Sequence, residues 1–425
     1  MKAVRNYVSE LNQLYHPTGD ISQDSQELVY SCENLNTTKF VPILLKEWFF
    51  LVKEGGYVVI DYQPNERCDF QKLEETMWWL WKGKYEIVYH GSIDQKVLKG
   101  ITEKNLQEYI HSKETYYKTN LNKETKLPTA LPTGTIPATE NGYFRFVCKK
   151  TQSTIIPGDS IEKWTFGIIT NGKRKDWMEQ IIQSIRVQKI PNYEIIVCGT
   201  YFDPKEKDIV YLPFNQRDDK GWITRKKNLI VQHAKYENLC IIHDRIVFDK
   251  EWYKGMKKWG NTFEHLSCQQ LYQGKRGVDW GGPYMIKTWD DKHLSSALSA
   301  LCDYQDWFAF VSSPGQLNIS KKSILSKYPW DERLYWNQAE DSRITGDQFA
   351  GGIVFRCNAY AKANFLASRF LHFSEIKYDQ YNEKIVLTKK YFARRMIRHI
   401  VRQVTLLIGK KNGDFLYNYY LRLKK

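Results

Sequence analysis

An α/β fold with a mostly parallel sheet is predicted from three observations. Short Val/Ile-rich runs alternate with amphipathic helical stretches from Trp164 onward, turn residues punctuate them, and polar residues stand where one of the buried runs ends. Thr165 to Thr170 (TFGIIT) reads as a buried strand. Asp176 to Gln188 places Met178, Ile181, Ile182 and Ile185 at helical spacing, and Pro191-Asn192 breaks the pattern. Glu194 to Cys198 (EIIVC) is a second strand, Ile209 to Leu212 a short third, Thr224 to Lys235 a helix and Leu239 to Ile242 (LCII) a fourth strand. Ligands of such sheets bind at the carboxyl ends of the strands. His243-Asp244-Arg245 stands at that end of the fourth strand.

The N-terminal part has its own pattern. The Gly55-Gly56 turn stands after a helical segment and before a Val/Ile-rich strand. The Gly55-Gly56 pair is expected to end that helix in a left-handed conformation. Thr115 to Glu140 is polar, with Pro128, Pro132 and Pro137, and reads as a long loop. Gly142 to Lys149 is one more strand closing a first domain over 1–150, residues 151–162 form a linker, the second domain covers 163–383, and a tail occupies 384–425.

With 425 residues, about three units of roughly 150 residues are the most the chain should hold. An apolar fraction of 42% and a charged fraction of 26% give real cores and exclude wholesale disorder. Apolar runs stay far below the ~20 residues that span a bilayer, and the first twenty residues lack a secretory h-region. The eight cysteines form no C-x-x-C pair, which argues against a zinc ribbon, a redox dithiol or a disulfide framework and fits a reducing cytoplasm.

The net charge is +15. From Lys384 onward there are twelve Lys/Arg against Asp414 alone, a surplus of 11 that leaves only 4 for everything before it. A near-neutral body with a basic tail is unlike a nucleic-acid groove, so no nucleic-acid partner is expected. In the tail, Lys390, Arg394, Arg398 and Arg402 line one helical stripe, and Phe392, Met396, Ile400, Val404 and Ile408 the opposite one. A basic amphipathic helix of this kind suits an anionic membrane surface, and the expected location is cytoplasmic, peripheral on the inner face of the membrane.

Several segments between Lys163 and Phe373 resemble the inverting family 2 glycosyltransferases of GT-A fold. They are Ile181 to Cys198 (IIQSIRVQKIPNYEIIVC), Lys226-Lys227-Asn228, Ile241-Ile242-His243-Asp244, and Pro329 to Leu334 followed by Trp336 and Glu340-Asp341. The resemblance implies a GT-A domain and transfer of a sugar from a nucleotide-sugar donor to a surface-glycan or lipid-linked acceptor, with inversion. The alternative is a non-catalytic sugar- or partner-binding scaffold. By the resemblance, Asp341 is the base, with Glu340 beside it. Thr170, Asn171, Thr200, Arg225, Lys227, Asn228, His243, Asp244 and Arg245 are expected to meet the donor, while Trp280, Gly281, Gly282 and Trp336 are expected to meet the acceptor, because aromatic rings stack on sugar faces. Asp244 and His372 are the metal candidates for Mn²⁺ or Mg²⁺.

The chain departs from the family at two places. Cys198-Gly199-Thr200 stands where relatives carry an acidic base-binding segment, and His243-Asp244-Arg245 keeps one carboxylate of the Asp-x-Asp triplet with a cation beside it. Arg245, Arg225 or Lys227 is thereby expected to carry part of the diphosphate charge. Separately, Leu28 to Ile60 resembles the later half of a class I methyltransferase. The Gly-rich cofactor loop has no counterpart among the preceding 27 residues, whose single glycine is Gly19, so S-adenosylmethionine is not expected.

Overall fold

The computed structural model describes residues 21–119, 142–367, 376–379 and 384–387, apart from 39, 157, 159, 278, 288–293, 305–306, 308–310 and 312, together with 396 and 400. The N-terminal unit runs β1 (Gln26–Cys32), α1 (Asn34–Thr37), α2 (Val41–Leu51), β2 (Val52–Tyr62), α3 (Phe70–Trp81), β3 (Tyr85–Ile93), α4 (Gln95–Leu98), α5 (Glu103–Thr119) and β4 (Tyr143–Lys150). Its sheet has the order β1-β2-β4-β3. The β1–β2 pair is parallel, with α2 inside the crossover, and the other two pairs are antiparallel. Asp69 caps α3 by accepting from the Lys72 N–H at 2.8 Å.

Two details depart from the sequence reading. Helix α2 hands over to β2 at Val52, whose backbone is already extended, so Gly55-Gly56 does not end the helix. The pair lies inside β2, where pairing jumps from Gln26–Val52 to Leu28–Tyr57 and extra residues bulge out. Gly55 has φ +82°, and a Cβ on Gly56 would stand 2.7 Å from the Glu27 carbonyl oxygen. Helix α5 also continues past Glu114 to Thr119, shortening the expected loop; the Glu114 carboxylate is tied to Tyr57 at 2.7 Å and Lys149 at 2.8 Å.

The second unit runs β5 (Lys163–Ile169), α6 (Lys175–Arg186), β6 (Asn192–Gly199), β7 (Ile209–Pro213), α7 (Ile223–His233), β8 (Asn238–His243), β9 (Ile246–Phe248), α8 (Trp252–Trp259), β10 (His265–Tyr272) and β11 (Lys275–Arg276). Then follow β12 (Gly281–Lys287), β13 (Leu294–Leu301), β14 (Leu317–Lys321), α9 (Lys322–Lys327), α10 (Glu340–Ala350), β15 (Arg356–Phe365), β16 (Ile376–Asp379) and β17 (Lys384–Leu387). The large sheet has the order β7-β6-β5-β8-β14-β10-β15-β9, with β11 on β10. Its first four strands are parallel, as the strand and helix alternation predicts. Strand β14 then runs antiparallel to β8.

Both faces of this sheet are covered. Phe166, Ile168, Cys240 and Ile242 pack with Met178, Ile181, Ile182 and Ile185 of α6, while Ile196, Leu239 and Ile241 pack with Ile230 and Val231 of α7. Helix α7 lies so close that a Cβ on Gly167 would meet Ile230 Cγ2 at 2.4 Å.

Helix α2 joins the two units. Lys46 pairs with Glu264 at 3.0 Å and donates to the Gly352 carbonyl, and Arg356 donates to Glu47 at 2.7 Å, with all four charged side chains largely buried. Val354, Phe355, Cys357 and Trp280 belong to the same apolar core as Trp48, Phe49 and Trp81. The N-terminal unit is therefore built into the second unit rather than strung beside it.

The hairpin β12–β13 and the later strands β16 and β17 form a small sheet of order β12-β13-β16-β17. Lys384–Leu387, the first residues of the expected tail, are a strand antiparallel to Ile376–Asp379. The expected amphipathic helix lies outside the described residues except for Met396 and Ile400, both in helical backbone. Among the described residues no helix is long and apolar enough to cross a membrane.

Candidate functional site

Strands β5 and β8 end in register, Ile169 opposite His243, so the residues that follow them meet at the carboxyl edge of the sheet. The Asp244 N–H donates to the Ile169 carbonyl at 3.2 Å. Its carboxylate accepts from the Thr170 hydroxyl at 2.8 Å on Oδ2 and from Arg174 Nη1 at 3.0 Å on Oδ1. A cleft of about 270 Å³ opens here, lined by Thr170, Asn171, Arg174, Lys226, Asp244 and Arg245 among others, with Trp222 and Trp336 at its side.

Of the residues expected at the donor, Thr170, Asn171, His243, Asp244 and Arg245 line this cleft, and so does Trp336 from the acceptor set. Thr200 stands beside it, since a Cβ on Gly172 would touch its Oγ1. The remaining donor candidates turn elsewhere because α7 advances about 100° per residue. Lys227 is buried and donates to the Gly315 carbonyl at 2.6 Å. Asn228 donates to the Trp330 carbonyl and accepts from the Trp330 N–H at 2.9 and 3.0 Å, and with Arg225 it also binds Glu332. These contacts fasten the 330 segment to α7.

Lys226, next along the helix, is the residue that reaches the cleft. It donates to the Thr170 carbonyl at 2.7 Å and pairs with Asp218 at 2.6 Å. Sequence reasoning missed Lys226 and Arg174. The helical phase of α7 could have separated Lys226 from Lys227, and Arg174 stands at the start of α6, four residues after Thr170.

Glu340 and Asp341 open α10 after Ala339, whose backbone is left-handed. They lie against Gly315 rather than in the cleft lining. The Gly315 N–H donates to Asp341 Oδ2 at 3.3 Å, and a Cβ on Gly315 would stand 3.1 Å from Glu340 Oε1. The same loop reaches the cleft through Gln316, whose carbonyl accepts from the His243 N–H at 3.1 Å and whose side chain accepts from Arg245 at 3.1 Å.

The electrostatics of this corner follow from burial. Burial pushes the Lys227 ammonium down to about 8, against the pull of Glu340 and Asp341. Burial raises the Glu340 carboxyl, with Lys227 opposing and Asp341 adding to the rise. His243 is held neutral by burial first and then by Lys227, Arg245 and Arg174.

Trp280 is buried at 1% exposure, inside the core shared by the two units, while Trp336 is 44% exposed. Stacking on a sugar face needs an open ring, and of these two Trp336 has one. Gly281 and Gly282 begin β12, paired with Leu301 and Ala300. His372 lies outside the described residues. Mn²⁺ and Mg²⁺ prefer several hard oxygen ligands. Three carboxylates line the cleft: both oxygens of Asp244 are hydrogen-bonded, one of them to the cation Arg174, Asp218 is paired with Lys226, and Asp219 is the third, so with two of the three engaged by cations this donor set does not fit a divalent ion. Among the described residues no group of three or more His, Cys, Asp or Glu side chains could hold a metal.

The fold and the cleft define an α/β protein with a cleft lined by charged side chains at the ends of parallel strands. No family model matches the chain, and no curated protein matches it. Among solved structures it is similar to S. aureus TarS 1–349, at 14% identity and TM-score 0.32 over 49% of this chain and 59% of that one. The same TarS fragment in complex with UDP gives 15% identity and TM-score 0.35 over 48% and 60%. GalNAc-T7 with UDP, GalNAc and Mn²⁺ gives 10% and 0.35 over 48% and 43%. These neighbours are GT-A-type glycosyltransferases. The chain spans 60% or less of their length, and a likeness of this strength assigns no residue a role.

Proposed function

We propose that the chain is a glycosyltransferase that moves a sugar from a nucleotide-sugar donor to a surface-glycan or lipid-linked acceptor with inversion. The observation that carries this reading is the convergence of Thr170, Asn171, Asp244, Arg245 and Trp336 on one cleft at the ends of β5 and β8. The order of the segments around it, from Ile181 to Asp341, supports the same reading. In this mechanism the acceptor hydroxyl attacks the anomeric carbon and its proton passes to the Asp341 carboxylate. The bond to the diphosphate breaks with its electron pair on the leaving oxygen, whose charge is met by the cations of the cleft.

The second reading, a non-catalytic binding scaffold, is favoured by one observation. Asp341 already accepts from the N–H groups of Gly315 and Ser342. Incubation of the intact protein with a panel of nucleotide sugars separates the two. Release of nucleoside diphosphate, increased by acceptor glycan, is expected; binding of a nucleotide sugar without release in any combination would select the scaffold.

The N-terminal unit is read as a degenerate methyltransferase-like module that packs or recruits; its parallel β1–α2–β2 crossover and the charge pairs from α2 support this. The tail is read as an anchor to an anionic membrane surface on the cytoplasmic side. Met396 and Ile400, which share its apolar stripe, are 63% and 53% exposed, as an unoccupied lipid-facing stripe should be. Because Lys384–Leu387 pairs with β16, the informative truncation removes residues 389–425 and keeps that strand. Flotation with anionic vesicles is expected for the intact chain and lost by the truncated one; equal flotation with neutral and anionic vesicles would overturn the anchor.

A further inference from the structure

The Asp244 carboxylate divides its two oxygens between Thr170 and Arg174. Of the two partners, Arg174 is the one with capacity to spare. Its side chain is 42% exposed at the cleft, its guanidinium lies 4.7 Å from the centre of the Trp177 ring, and one of its N–H groups donates to Asp244. A guanidinium carries five N–H donors in a rigid fork suited to phosphate oxygens, and among the described residues the other four have no protein acceptor. Lys226 is already engaged by the Thr170 carbonyl and Asp218. Arg245 adds a second guanidinium to the same lining, braced by Gln316.

We propose that Arg174 takes the place of a divalent ion in this cleft and binds the diphosphate of a nucleoside diphosphate or nucleotide sugar directly, with Asp244 as the positioning residue that aims the guanidinium. The inference rests on the glycosyltransferase reading and specifies how that site meets its anion. It reverses the expected duty of Asp244. The carboxylate holds an arginine instead of a metal, and the Trp177 ring and the Thr170 hydroxyl restrict the pair to one geometry. Arg245, the departure from the Asp-x-Asp triplet, then becomes the second half of an anion clamp.

The test is calorimetry on the full chain with the four common ribonucleoside diphosphates, in excess chelator and again in Mn²⁺ or Mg²⁺. At least one diphosphate is expected to bind with the same Kd, within about threefold, under all conditions. Arg174→Gln should weaken that binding roughly 10- to 100-fold with and without metal, the worth of one charge-assisted contact. Arg174→Lys, which keeps the charge but not the fork, should lose less. Asp244→Asn should weaken binding in the parent and have little further effect in the Arg174→Gln background, a non-additivity that a merely structural role would not produce. Lys254→Gln, an exposed cation on α8 paired with Glu251 and outside the lining, serves as the unchanged control. Binding that appears only with metal, or an unaffected Arg174→Gln, overturns the inference and leaves the glycosyltransferase reading standing. Absence of binding by every diphosphate and by every nucleotide sugar, with and without metal, overturns both.

Discussion

The Trp336 N–H donates to the Gly221 carbonyl at 2.8 Å, and a Cβ on Gly221 would stand 2.9 Å from the Trp336 Cβ. This contact closes the cleft at its side. The loop before α7 and the loop before α10 are held together by it, with Arg217 and Tyr335 adding a second hydrogen bond nearby. Gly221 has φ +70°, which an alanine adopts only at a cost of roughly 1–2 kcal/mol. Gly221→Ala is expected to lower stability by about that amount and to raise KM for donor or acceptor as Trp336 is displaced. Urea unfolding and steady-state kinetics on the same preparation check both effects.

The position of Asp341 over Gly315 makes a distinct prediction. Asp341→Asn should lower turnover by about 10²–10⁴ while leaving donor affinity nearly unchanged, because a base acts in the transition state and not in donor binding. Glu340→Gln should differ, since Glu340 is buried beside Lys227 and its loss disturbs a charge pair. A full kcat in Asp341→Asn would place the base elsewhere.

Lys227 ties pH to stability. Its folded value of about 8 lies below the ordinary lysine value, so the folded state holds fewer protons than the unfolded chain between about pH 8 and 10.5. The destabilisation caused by burying it is fully present below pH 8 and disappears above 10.5, so on this group's account stability rises through that window. Lys227→Met should abolish that rise. Chemical unfolding of the two proteins at pH 7.5 and 9.5 measures it as a difference, which cancels the groups they share.

Glu47 and Arg356 supply a stability prediction. The pair is buried, and burial by itself lowers the Arg356 pKa, with Glu47 as the compensating charge. Glu47→Ala removes the carboxylate paired with a buried guanidinium and should cost about 3–5 kcal/mol, read from the urea midpoint. A cost under about 1 kcal/mol would mean that this pair contributes little to the junction, leaving it to Lys46 and the apolar packing.

The strands around the cleft were legible because period and composition agreed. In β5, β6 and β8 the runs Phe166–Ile169, Ile195–Cys198 and Leu239–Ile242 carry no polar side chain, as strand centres covered on both faces must, and α6 buries the four residues whose spacing marks its stripe. The placement of Thr170 and Asp244 was legible for the same reason, because a polar residue ending a buried strand stands at the carboxyl edge of the sheet. That of Arg174 and Lys226 was not, since it depends on rotation about α6 and α7 and on a partner 70 residues away in one case. The bulge at Gly55-Gly56 escaped because a glycine pair after a helix reads equally well as a cap. Trp280 was misplaced among open aromatics because nothing in its neighbours reveals that the core of the N-terminal unit extends over it.

The charges on α2 also bear on how the chain is made. Lys46 and Glu47 leave the ribosome long before Glu264, Gly352 and Arg356, the groups that neutralise or accept from them, and Arg356 lies 309 residues after Glu47. At roughly 5–20 residues per second that interval lasts about 15–60 s. Until those segments are made, the face of α2 that carries the two charges is open to water, because the residues that bury it, Val354 and Phe355 among them, belong to the second unit. The junction between the units can therefore close only after translation of the segment that follows α10.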